Sequence, residues 1–90
     1  MRFKVVGKET EIVEAFSLDI TAEEMLKTFI SKHPELECSL DPNVTTFTSR
    51  GIINQDKDTL KKKLSELRIR ANSVIMIEDK RGVELALYFY

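Results

Sequence analysis

Ninety residues make one domain, and a chain this short buries only about 60–65% of the surface its unfolded form exposes, so its core has to be compact. Hydrophobic residues at 42% and charged residues at 32% are the proportions of a globular protein and exclude a disordered or low-complexity chain. The formal net charge of −1 conceals a polarity: residues 1–45 carry five Lys/Arg against nine Asp/Glu, and residues 46–90 nine against six, the distribution of a dipolar protein or of a docking surface for a charged partner.

"MRFKVV" alternates Met1, Phe3 and Val5 against Arg2, Lys4 and Val6, the period of a strand with one face buried. "GKET" is a turn in which Gly7 is free to take positive φ, and "EIVEAFSLDI" reads as the returning strand of a hairpin. Its inward set is Ile12, Phe16 and Leu18; Glu14 falls in the same phase, which predicts a bulge or an edge position there. "TAEEMLKTFISKHP" is the clearest helix. Thr21 and Glu24 have capping-box spacing, Met25, Leu26, Phe29 and Ile30 form one apolar stripe, and Lys32, His33 and Pro34 mark the end.

Residues 35–43 connect, with Leu36 and Leu40 as anchors and Asp41-Pro42-Asn43 as turn chemistry. "VTTFTS" is β-branched and aromatic, hence a strand, followed across "RG" by a very short strand, "IIN". "QDKD" supplies an Asp cap for a second helix, which the spacing of Leu60, Leu64 and Leu67 predicts to run two to three turns. "VIMIE" is apolar in both phases, as in a central strand. The tail "VELALYFY" alternates Val83, Leu85, Leu87 and Phe89 against Glu84, Ala86, Tyr88 and Tyr90, a further strand-like segment.

Catalytic and metal chemistry finds little foothold. Cys38 is the only cysteine, so no disulfide forms within the chain, and with a single histidine a zinc site of ordinary Cys/His spacing is excluded. His33 and Cys38 lack a third group to orient them as base and nucleophile, adjacent Glu23 and Glu24 diverge on a helix, and no glycine-rich phosphate loop is present. The expectation is a non-enzyme without cofactor or small-molecule substrate. A reducing compartment, an amino terminus without the apolar core of a signal peptide, and no apolar run of about 20 residues point to the cytoplasm or nucleus, with no membrane span.

The order of elements, with Met1 at the start and a capped helix at Thr21, resembles the ubiquitin-like β-grasp family over residues 1–82. "SRGIINQDKDTLKKKLSELRIRANSVIMIEDKRG" carries the resemblance: a turn glycine, an Asp/Thr-Leu entry to the short helix, and a last strand before an Arg-Gly tail. The resemblance implies an α+β fold: a mixed four- to five-stranded sheet on one long helix, a second short helix, and the last strand between the first and third. Residues 83–90 then form an apolar tail outside the domain.

Several departures bear on function. The helix after Thr59 reads about one turn longer than ubiquitin's. Where ubiquitin has its apolar recognition patch, this chain has "GKET", Thr48 and Glu78, which forfeit the contacts a ubiquitin receptor desolvates. Ile52 stands near the place of ubiquitin's best-known chain-forming lysine. The carboxyl end has Lys80-Arg81-Gly82 followed by Val83, without the family's glycine pair. Gly82 is therefore either a turn glycine or a processing site exposed by proteolysis and used for conjugation.

If all four apolar side chains on one face of the tail found contact, each would contribute about 1.5–3 kcal/mol before chain ordering is subtracted. Exposed, they invite edge pairing and aggregation. Val83, Leu85, Leu87 and Phe89 are thus expected to dock on the domain itself or on a protein partner. The basic cluster Lys61, Lys62, Lys63, Arg68 and Arg70 reads first as a solvated face and second as a candidate surface for an acidic protein; nucleic acid or anionic lipid is disfavoured by the lack of interleaved aromatic residues and the slightly acidic chain. The leading expectation is an adaptor or interaction module, the alternative a modifier matured after Gly82, and the weakest a nucleic-acid binder.

Overall fold

The computed structural model describes residues 1–80; the expectations for Gly82 and for the tail positions Val83, Leu85, Leu87 and Phe89 lie outside the described residues. The chain forms β1 (Arg2–Val5), β2 (Glu11–Val13), α1 (Ala22–Lys32), a 3₁₀ turn (Pro34–Leu36), β3 (Thr45–Thr48), α2 (Lys57–Lys61) and β4 (Val74–Asp79). Among the described residues four strands make one mixed sheet in the order β2-β1-β4-β3. β1 and β4 run parallel at its centre, and β2 and β3 pair antiparallel on the outside. The fold is α+β with one long and one short helix, and the closing strand is central, as its apolar composition predicts.

Strand alternation puts Phe3, Phe47, Ile75 and Ile77 on one face, and the register sets Phe3 beside Ile75 and Phe47 beside Ile77. α1 lays Met25, Leu26 and Phe29 over them. The Phe29 ring stacks on Phe3 with centroids 4.1 Å apart and meets Phe47 edge-on at 6.4 Å, while Phe16 closes edge-on against Phe3 at 6.0 Å. Met1, Ala22, Ile53, Leu64 and Ile69 complete the buried cluster. Full burial of side chains of this size contributes about 1.5–3 kcal/mol each, so this layer dominates folding.

Local signals set the element ends. The Thr21 hydroxyl accepts the Glu24 N–H at 3.2 Å to open α1, and the His33 N–H closes it on the Phe29 carbonyl at 3.1 Å, one residue before Pro34. Gly7 adopts φ 82° in the β1–β2 turn, a conformation that costs a side-chain-bearing residue roughly 1–2 kcal/mol.

Three expectations are corrected. The returning strand of the hairpin ends at Val13: Glu14 still exchanges both hydrogen bonds with Met1, after which the chain turns Phe16 under the sheet edge. The strand "IIN" reduces to one bridge between Thr48 and Ile52. The second helix stops at Lys61, so neither its expected two to three turns nor the turn added relative to ubiquitin exists.

The cause of that early stop is tertiary. Lys62 is extended (ψ 148°), its carbonyl accepts the Ala22 N–H at 2.9 Å, and the N–H groups of Leu64 and Ser65 donate to the Ile20 and Leu18 carbonyls. Residues 62–65 are thereby drawn into a short pairing with residues 18–22, and Leu64 reaches the core from the turn that follows Lys63.

Candidate functional site

Lys61, Lys62, Lys63, Arg68 and Arg70 are all exposed, but they do not line one helix. Lys61 ends α2, Lys62 and Lys63 follow in extended backbone where successive side chains diverge, and Arg68 sits at φ 60° in the turn beyond. Part of their charge is answered within the chain. Glu23 is held below its ordinary carboxyl range first by a hydrogen bond from Lys27, at 2.8 Å, and then by the charges of Lys27 and Lys61. Asp56, the α2 cap, is lowered chiefly by the Thr59 N–H at 2.7 Å, with a lesser pull from Lys62. The basic surface is a broad, curved segment.

The face of the sheet opposite α1 carries an apolar belt that the sequence pattern concealed. Val13, Val74 and Met76 point outward and are 71%, 39% and 37% exposed. Pairing places Arg2 between Val13 and Val74, and Met76 between Lys4 and Thr48, with Ile52 bridged to Thr48 at the rim. The signal was present in "VIMIE", whose second apolar phase meets no helix. Centrality within a sheet settles hydrogen bonding on both edges; it does not settle covering of both faces.

Beyond the carboxyl end of β4 the two central strands, β3 and the 3₁₀ turn enclose a cavity of about 250 Å³. Val5, Leu36, Cys38 and Ile77 supply apolar walls, and Lys8 and Asp79, the last residue of β4, also line it. The Lys80 N–H donates to the Val44 carbonyl at 2.9 Å, which fixes the end of β4 beside this cavity. The Cys38 thiol faces the Leu36 carbonyl at 3.9 Å.

At the carboxyl end of α1, His33 meets two carboxylates: Nε2 lies 2.9 Å from Glu14 Oε1 and Nδ1 lies 3.4 Å from Glu35 Oε1. The imidazole also tilts against Phe29 at 4.8 Å, and Lys32 Nζ stands 3.5 Å from Glu14 Oε2. The His33 hydrogen bond, aided by Lys32, holds the Glu14 carboxyl below its ordinary value against the opposing effect of desolvation. Glu14, out of place in the strand pattern, thus ties the β2 exit to the end of α1. His33 is engaged there as a latch and Cys38 lines the cavity, so the two serve separate parts of the fold.

Asn54 is a structural residue that the sequence reading passed over. It is buried, its Oδ1 accepts the Phe47 N–H at 3.0 Å, and its Nδ2 donates to the Thr45 and Leu40 carbonyls at 2.8 and 3.0 Å. With the Ile53 N–H on the Phe47 carbonyl at 2.7 Å, this side chain stands in for a missing neighbour strand and seals the outer edge of β3.

Among the described residues no group of three or more His, Cys, Asp and Glu is placed to hold a metal ion, and no helix is long and apolar enough to cross a membrane. Compared with protein-family models, with curated proteins and with solved structures, the chain shows no significant match.

Proposed function

We propose that the chain is a ubiquitin-like β-grasp module without catalytic activity that serves as an interaction domain or small adaptor subunit in the cytoplasm or nucleus. It docks on protein partners through residues 83–90 and through the basic surface of Lys61, Lys62, Lys63, Arg68 and Arg70. The observation that carries this reading is the strand order, with β1 and β4 parallel in mid-sheet, β2 and β3 outside them and one long helix across a single face. Because both edges of β4 are occupied, no position beside it is vacant for the apolar segment that follows. An acidic protein suits the five cations better than nucleic acid, because residues 61–70 interleave no aromatic ring on which a base would stack.

Removal of residues 83–90 tests the reading. The truncated chain is expected to keep its circular-dichroism spectrum and cooperative melting while losing a protein partner that the full chain captures. Reversing Lys61, Lys62 and Lys63 to Glu weakens capture further at low salt than at high salt, since exposed charges are screened over about 8–10 Å near physiological ionic strength. A truncated chain that binds its partner as well as the full chain removes the tail from the interface. Intact mass of the native protein gives a separate check: a species ending at Gly82, or a lysine conjugated to it, replaces the adaptor by a modifier.

A further inference from the structure

We propose that a second pocket, between the β3–α2 loop and the turn at Arg68, binds an acidic peptide segment, seating one apolar side chain and pairing the flanking carboxylates with Arg50 and Arg68. Its volume is about 260 Å³, and Ile52, Ile53, Leu67 and Ile69 give it an apolar lining. Arg50 lines it from the loop, and Arg68 stands between Leu67 and Ile69 in the chain. Both sides are held by backbone hydrogen bonds, from the Ile53 N–H to the Phe47 carbonyl at 2.7 Å and from the Ile69 N–H to the Leu64 carbonyl at 3.0 Å. Binding therefore does not have to order these segments.

Backbone, charge and size select the occupant. Arg50 and Arg68 stand at φ 63° and 60°, the left-handed region that glycine or asparagine enters more readily than a long side chain does. The turns themselves do not call for arginine, and strain of this kind concentrates at ligand clamps and other functional positions. Among the described residues no ion pair engages Arg50, Arg68 or Arg70, although Asp58 and Glu66 are close in sequence. Residues 49–70 hold seven Lys/Arg against three Asp/Glu, so the surrounding field favours an anionic partner. A guanidinium grips a carboxylate through two parallel hydrogen bonds, which lysine cannot reproduce.

The volume falls below the roughly 300–1,000 Å³ of sites that hold small organic ligands and suits one large apolar side chain. A free phosphate would leave the apolar lining uncovered, and no aromatic ring lines the pocket to stack a base. The inference rests on the reading of the basic segment as a protein-docking surface and gives that surface a centre: Lys61, Lys62 and Lys63 attract from a distance, and the pocket selects.

Amide chemical shifts of the full chain, titrated at low salt with the synthetic peptide Asp-Glu-Asp-Phe-Glu-Asp, test the proposal. Shifts are expected to centre on residues 49–53 and 67–69, and replacing the peptide's Phe by Ala is expected to weaken binding about tenfold. Arg50→Gly and Arg68→Gly place at each turn a residue that adopts the observed φ freely; each is expected to keep the melting temperature and to lower affinity about tenfold. Unchanged affinity in both variants overturns the proposal. Should a variant fail to fold, the two peptides compared on the unaltered chain decide.

Equal affinity for the Phe and Ala peptides, with binding lost when Lys61, Lys62 and Lys63 are reversed to Glu, overturns the pocket and leaves the docking role of the basic segment standing. Shifts of residues 49–53 produced as strongly by inorganic phosphate assign the pocket to a simple anion and overturn the peptide reading. Absence of shifts with either peptide at concentrations on the order of millimolar overturns the pocket and the basic docking surface together.

Discussion

The two faces of the sheet are built from the same strands and treat their apolar residues in opposite ways. Beneath α1, Ile75 and Ile77 are buried and packed with Phe3, Phe29 and Phe47; on the other side Val74 and Met76, from the same strand, remain more than a third exposed. Residues 74–77 are uniformly apolar, so the difference in burial comes from the helix, which covers one face. The inner face carries the buried core, and substitutions there are expected to cost more than those on the outer face.

Phe29→Ala is the sharpest way to break this contrast. It removes the ring that stacks on Phe3 and meets Phe47, and is expected to cost about 3–5 kcal/mol in urea denaturation. A loss below about 1 kcal/mol would mean that α1 does not hold the layer together. Asn54→Ala comes next, at about 2–3 kcal/mol, because the Phe47 N–H and the Thr45 carbonyl on the sealed edge of β3 lose their partner while buried. Chemical shifts of β3 should move with it; unchanged shifts would show that another group takes the place of the amide.

The latch between β2 and α1 gives a smaller, pH-dependent effect. Glu14 has its carboxyl held below the ordinary value in the folded state, so the unfolded chain binds its proton more readily. The stabilisation is therefore present above the ordinary carboxyl value and disappears as pH falls through the lowered one. Glu14→Gln should flatten the acid limb of a stability-against-pH profile there, and a profile superimposable on that of the unaltered chain would remove the latch from the account. Met76→Thr, on the outer face, is expected to change stability by no more than about 0.5 kcal/mol, with melting temperature as the check. A loss comparable to that of Phe29→Ala would mean the outer belt is covered after all.

Much of the fold was legible because it is written locally. Thr21 and Glu24 announce the start of α1, Pro34 its end, Gly7 the hairpin and Asp56 the second cap, and each depends on groups within about four residues. The candidate surfaces were legible in part. The cations of residues 61–70 are exposed as expected, but their spread follows from an early helix stop that spacing alone did not show. The cavity beside Cys38 was not legible, since its walls come from β1, β4, β3 and the 3₁₀ turn, segments distant in sequence.

By itself the chain determined the order of its four main strands and two helices, the central place of "VIMIE" and the inner apolar stripe of α1, because periodicity and capping act between near neighbours. Tertiary structure alone decided that α2 ends at Lys61, since the backbone of residues 62–65 gains its partners from residues 18–22. It alone made Asn54 a surrogate strand and Glu14 a latch on His33, and left Val74 and Met76 facing water. A side chain's pattern states which neighbours it would accept, and only the assembled fold supplies them.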